Sequence, residues 1–251
     1  MGAALEVQGD RLVAHAFRIA SQAEGAVPTY VLLHGIGLSH AEFTRVARVL
    51  RESGNVVSYD LPGFGANPRP QRNVSVEDHA RLVAGHLDSR KFGPVVAVGH
   101  SMGAQFAVEL AVLRPDLVSH VVLVGPVVDP AYPTLRAQAL GLARDAPLEP
   151  LRTQAMVSLG YLQTGIRWFL AQALVMRDYP IHLRVQAVTQ PLLVIRGKTD
   201  PIAKPAWAQW LADHVRRGRV VTIDGFRHNV IHAAPGPVAE AIRYFATTDL
   251  T

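Results

Sequence analysis

Six short runs dominated by Val, Ile and Leu recur along the chain, most of them separated from the next by a longer stretch of helical period. They are Thr29 to Leu33 (TYVLL), Val56 to Tyr59 (VVSY), Pro94 to Val98 (PVVAV), His120 to Val124 (HVVLV), Pro191 to Ile195 (PLLVI) and Arg219 to Ile223 (RVVTI). A strand with one wet face alternates apolar and polar residues, whereas a near-continuous apolar run suits a strand covered on both faces. The stretches between the runs supply those covers, so the pattern predicts an α/β fold with parallel strands joined by crossover helices. Leu5 to Val7 and Leu12 to Phe17 instead alternate about Gly9 and Asp10, as an antiparallel hairpin at a sheet edge would.

Helices are expected over His40 to Ser53, Val76 to Leu87, Met102 to Leu113, Pro205 to Val215 and Pro237 to Phe245. The second of these opens at Ser75 with Asp78 placed to complete a capping box. One connection is too long for a single helix: about 65 residues, Pro126 to Gln190, separate two strand candidates. Helical patterns around Leu135 to Ala143, Leu151 to Leu159 and Ile166 to Met176 are broken at Pro147, Pro150, Gly160, Gly165 and Pro180. The expected organisation is a core of residues 1–125 and 191–251 with a helical cap, 126–190, inserted over the sheet. The 251 residues, 49% of them hydrophobic, suffice for one buried core, and no repeat or polar linker divides them.

The residues that carry chemistry stand at strand ends. Val95 to Val98 leads into Gly99-His100-Ser101-Met102-Gly103, a G-x-S-x-G between an apolar strand and an apolar helix. There the glycines leave room for a strained turn that lifts the serine hydroxyl above the sheet, at a helix N-terminus that favours negative charge. A serine hydroxyl is a poor nucleophile at neutral pH and needs a histidine base oriented by a carboxylate. Asp200, in R-G-K-T-D-P, and His228, in D-G-F-R-H-N, follow later strands in that chain order. All three would meet at the carboxyl edge of the sheet, where open α/β sheets bind ligands. Asp129 competes with Asp200 and His232 with His228, but Thr199-Asp200-Pro201 reads as a tight turn past its strand while Asp129 opens the long insertion, and His232 belongs to a helix approach. His15, His79, His86, His120, His182 and His214 fall in strand or helix interiors and read as structural, and the side chain of His100 points away from Ser101. Oxyanion donors are expected from the backbone of Met102 and of Ile36, within Leu33-His34-Gly35-Ile36-Gly37. Phe64, Tyr161, Trp168 and Phe169 are candidates for the substrate pocket.

With H-G-I-G at 34–37, D-L-P-G-F-G at 60–65, G-H-S-M-G at 99–103 and the Asp200 and His228 turns, the chain resembles the α/β-hydrolase superfamily from about Thr29 to Phe245. The resemblance implies an eight-stranded, mostly parallel sheet, a cap over the site, no metal or organic cofactor, and hydrolysis through an acyl-enzyme. It is similar to small carboxylesterases of the pimeloyl-acyl-carrier methyl ester esterase type. Dehalogenases and epoxide hydrolases of the superfamily carry aspartate where this chain has Ser101, and the G-P-G run usual in carbon-carbon hydrolases is absent after Gly37. The expected activity is therefore that of a serine carboxylic-ester hydrolase acting on a small molecule. Thioester, lactone and carbon-carbon hydrolysis, or a ligand-sensing receptor on the same fold, are the alternatives.

Composition removes other classes. The absence of cysteine excludes disulfide frameworks, thiolate metal sites and Cys nucleophiles. A net charge of +5 would suit a nucleic-acid partner only if clustered, but the 22 arginines and three lysines are scattered, so no nucleic acid is expected. No basic n-region precedes an apolar run near Met1, and no stretch approaches the roughly 18 apolar residues of a membrane span. A cytoplasmic protein with no membrane partner is expected.

Overall fold

The computed structural model describes residues 2–7 and 10–248. Eight strands form one sheet: β1 (Gly2–Val7), β2 (Asp10–Ile19), β3 (Thr29–Leu33), β4 (Asn55–Asp60), β5 (Val95–His100), β6 (Val118–Val124), β7 (Leu192–Gly197) and β8 (Gly218–Ile223). Their order across the sheet is β1-β2-β4-β3-β5-β6-β7-β8. The β1–β2 and β2–β4 pairs are antiparallel, and every other pair is parallel. The expected hairpin is thus present, although the turn at Gly9 lies outside the described residues.

Ten α-helices are found among the described residues: α1 (Thr44–Leu50), α2 (Val76–Ser89), α3 (Gly103–Leu113), α4 (Leu135–Asp145), α5 (Leu151–Thr164), α6 (Ile166–Asp178), α7 (Ile181–Arg184), α8 (Pro205–Asp213), α9 (Val230–Ala233) and α10 (Pro235–Thr248). The capping box of α2 forms in both directions, Asp78 N–H to Ser75 Oγ at 3.1 Å and Ser75 N–H to Asp78 Oδ2 at 3.4 Å. The continuous helix expected over 40–53 is instead a 3₁₀ turn, His40–Phe43, followed by α1.

The apolar runs are covered on both faces because alternate residues of one strand serve different cores. Val31, Leu33, Ala97, Val121, Leu123 and Val194 join one cluster with residues of α2, α3 and α8. Their neighbours Tyr30, Leu32, Val96, Val98, Val122, Val124, Leu193 and Ile195 join another with α1 and α10. Strand β8 departs from this expectation: it ends the sheet, and its residues are half-buried or exposed despite the run RVVTI.

From β3 the chain first builds outward to β4 and then returns to place β5 on the other side of β3. Loops leaving β3 and β5 therefore diverge and open a crevice at the carboxyl edge of the sheet. Between β6 and β7 run α4 to α7, tied to the core by buried polar bonds. Gln172 bonds His79 Nε2 (3.1 Å) and donates to the Val74 carbonyl (3.2 Å), and Glu109 accepts from Tyr179 and from both sides of the Arg184 fork.

Candidate active site

Ser101 has a left-handed backbone, φ 53°. A non-glycine residue there is strained, and the surroundings must enforce the turn. They do so through glycine on either side. A Cβ at Gly99 would fall on the Gly103 carbonyl, and one at Gly103 on the Leu33 carbonyl. The turn is thus wedged between strand and helix, and the serine side chain faces outward at the head of α3.

His228 Nε2 lies 3.1 Å from Ser101 Oγ, and its Nδ1 lies 3.1 and 3.2 Å from the two oxygens of Asp200. Asp200 Oδ1 also accepts from the N–H groups of Ile202 (2.8 Å) and Ala203 (3.0 Å), which fixes the carboxylate. With Nδ1 facing a carboxylate, the proton of a neutral ring belongs there and the Nε2 lone pair faces the serine hydroxyl. All three side chains are buried. Burial disfavours the charged ring of His228, but the charge and hydrogen bond of Asp200, aided by Asp145 and Glu149, prevail and raise its pKa. Burial likewise opposes ionisation of Asp200, yet His228 and the two backbone donors hold its pKa below the usual carboxylate value.

The rival residues are engaged elsewhere. Asp129 accepts from Ala131 N–H at 2.8 Å in a local turn, and His232 Nδ1 meets Thr153 Oγ1 at 2.9 Å. The Ile36 and Met102 N–H groups have no acceptor among the described residues. The loop bearing Ile36 runs close over the serine: a Cβ at Gly35 would sit 3.2 Å from Ser101 Cβ.

Behind the site lies a buried pair that the sequence did not single out. Glu42 Oε2 accepts from Gly35 N–H (3.1 Å) while Oε1 lies 2.5 Å from His100 Nδ1. His100 Nε2 in turn faces the His228 carbonyl at 3.1 Å. Both nitrogens of His100 thus face oxygen atoms, one of Glu42 and one of the His228 backbone. The pair ties the Gly35 loop to the His228 loop. Nearby, His34 accepts from Leu61 N–H through Nε2 (3.2 Å) and donates from Nδ1 to the Gly35 carbonyl (2.8 Å), which defines a neutral ring.

A cavity of about 550 Å³ opens over Ser101 and His228, with Ile36, Tyr161 and Phe169 in its wall. Phe64 and Trp168, expected in the pocket, are not in that wall. Trp168 packs edge-on to Phe64 and over Gly63, where a Cβ would strike the indole. Consecutive positions on a helix diverge by roughly 100°, so with Phe169 turned to the cavity its neighbour Trp168 enters the core. The wall also contains Asp145 and Glu149, which sequence reasoning missed. They are the only carboxylates between Pro130 and Arg177, a compositional signal that was available. Among the described residues no group of three or more His, Asp or Glu has an arrangement that could hold a metal ion, and no helix is long and apolar enough to cross a membrane.

A sequence profile described as the alpha/beta hydrolase family matches residues 30–241. The chain belongs to that family. It is 25% identical over 248 residues to the (E)-2-((N-methylformamido)methylene)succinate hydrolase of Acinetobacter baylyi, covering 90% of this chain and 92% of that protein. It is also 27% identical to the pimeloyl-[acyl-carrier protein] methyl ester esterase of Nitrosomonas europaea over 226 residues, 78% of this chain and 87% of that one. Among solved structures, a thermophilic esterase from Thermogutta terrifontis superposes with a TM-score of 0.82 at 19% identity, over 98% of this chain and 97% of that one.

Proposed function

We propose that this chain is a serine hydrolase that cleaves a carboxylic ester through an acyl-enzyme, with residues 126–190 acting as a cap on the site. The observation that carries the reading is the position of His228, within hydrogen-bond reach of Ser101 Oγ on one side and Asp200 on the other. In the first half-reaction His228 Nε2 takes the Ser101 proton as Oγ attacks the acyl carbon. The N–H groups of Ile36 and Met102 receive the oxyanion, and the imidazolium then protonates the departing alcohol. In the second half, His228 deprotonates water as it attacks the acyl carbon, and the imidazolium returns that proton to Ser101 Oγ as the acyl–oxygen bond breaks and the acid leaves. Asp200 keeps the proton on Nδ1 and stabilises the imidazolium in both halves.

The name of the Acinetobacter relative specifies a succinate. We infer a different substrate here, because the described residues of the cavity wall include neither Arg nor Lys to meet a carboxylate. The test of the nucleophile is Ser101→Ala. It should abolish both turnover of an activated ester and mass-detected labelling by a fluorophosphonate, with the fold unchanged by circular dichroism. Labelling that persists in Ser101→Ala would assign the nucleophile to another residue.

A further inference from the structure

Two carboxyl groups stand in a cavity wall that is otherwise largely apolar: Asp145 is the last residue of α4, and Glu149 lies in the short segment that joins α4 to α5. Asp145 is 2% exposed and is held by Arg227 Nη1 (3.1 Å) and by the His228 N–H (3.3 Å). Glu149 is 5% exposed and uses one oxygen, Oε1, to accept from the backbone and side-chain nitrogens of Asn229, at 2.9 and 3.2 Å. No partner is found for Oε2 among the described residues, although Glu149 borders the cavity. Burial, only partly offset by Asn229, and the neighbouring Asp145 charge both push the Glu149 pKa up. A carboxyl group in that situation gains from a hydrogen-bond donor or a cation and loses from another anion.

The cations of the helical stretch do not change this balance. Arg136, Arg144, Arg152 and Arg167 are exposed and absent from the cavity wall, and Arg227 is paired with Asp145. Pockets of this kind take orientation from a few polar groups set in an apolar lining. Here those groups, outside the Ser101 and His228 centre, include two carboxyl groups and neither Arg nor Lys.

Resting on the esterase reading above, we propose that Asp145 and Glu149 make this a pocket for esters whose bound portion is uncharged or cationic, and that they exclude substrates carrying a carboxylate. The discriminating experiment uses three 4-nitrophenyl esters of equal acyl length, ending in methyl, trimethylammonium or carboxylate. Like charges brought together in a binding site repel, so kcat/KM for the methyl ester should exceed that for the carboxylate ester by at least about tenfold. The trimethylammonium ester should be turned over at least as well as the carboxylate ester. Glu149→Gln, which keeps an acceptor for Asn229, should narrow the methyl-to-carboxylate ratio at least about threefold, and Asp145→Asn should narrow it in the same direction. The same compounds titrated calorimetrically into Ser101→Ala give the order of Kd without turnover. Absence of turnover with the charge order intact in Kd would sink the esterase reading and leave the pocket assignment standing. A preference for the carboxylate ester in kcat/KM or Kd, or a ratio unmoved in both carboxyl variants, overturns the assignment.

Discussion

At the scale of single residues, the proposed mechanism makes the pairing of His228 with Asp200 decide the pH at which the site works. Only the neutral ring can accept the Ser101 proton, and Asp200 favours the charged ring more than burial disfavours it. The acid limb of kcat/KM for a neutral ester should therefore have its midpoint above the ordinary histidine value, with activity rising as pH rises through it. Asp200→Asn removes the main stabiliser of the imidazolium, so the midpoint should move down while kcat falls by about ten-thousandfold, as when a triad loses its acid. Asp129→Asn, which disturbs only the local turn at Ala131, should leave both within a few-fold of the parent. Stopped-flow and steady-state pH profiles of the two variants check this. An acid limb that stays in place in Asp200→Asn would remove Asp200 from the role given to it. Ser101, His228 and Asp200 were legible as candidates because each stands in the loop that follows an apolar run, so the strand narrows the choice to the residues of that loop. Glu42 was not, since nothing in His40 to Phe43 reveals that its carboxylate turns inward to His100 and Gly35.

At the scale of elements, the approach of α5 to the loop after β3 depends on a helical glycine. A Cβ at Gly160 would stand 2.6 Å from the Gly37 carbonyl and 3.0 Å from Leu38 Cδ2. Backbone cannot yield there without displacing either α5 or the loop that carries the Ile36 N–H. Gly160→Ala should raise intrinsic helix propensity and nonetheless lower kcat, by roughly ten- to hundredfold if the donor moves by a fraction of an ångström to one ångström. The same change at Gly85, exposed within α2 with nothing near its Cβ position, should leave kcat alone and stabilise the fold by up to about 1 kcal/mol. Equal kinetics in the two variants, measured beside their Tm values, would mean that α5 does not bear on the loop. The strands and core helices were legible for a local reason, because covered strands and amphipathic helices carry their burial in their own periodicity. The edge strand β8 read as though covered because composition does not encode neighbours. The same limit explains Trp168 and Phe64: an aromatic pattern on a helix says that a face is buried, not whether core or cavity lies against it. Asp145 and Glu149 reach the site through the point at which α4 ends and the path the chain takes from there to α5, which no periodicity specifies.

At the scale of the whole molecule, buried histidines set the response of stability to acid. His79 lies between α2 and the helices above the sheet, bonded to Gln172 and packed against the rings of Phe64 and Phe106. Burial lowers its pKa from 6.5 to about 4, and His34, His86 and His232 are also shifted down chiefly by burial. For a group depressed in the folded state, the unfolded chain binds the proton first, so stability falls as pH drops below 6.5 and goes on falling until the folded value is reached. His228 acts with the opposite sign: its raised pKa contributes stability that is complete below the unfolded value and lost as pH rises through the folded one. Four depressed rings outweigh one raised ring, and the growing positive charge on a chain already at +5 adds repulsion in the same direction. The unfolding free energy in urea should decline from pH 7 to pH 4, with His79 alone accounting for about 3 kcal/mol at the acid end. His79→Gln removes that titration, and its unfolding free energy should fall less steeply across this window than that of the parent, whatever its stability at pH 7. Parallel pH curves for the parent and His79→Gln would show that the ring takes up its proton in the folded protein as readily as in the unfolded chain, contrary to its burial beneath Gln172.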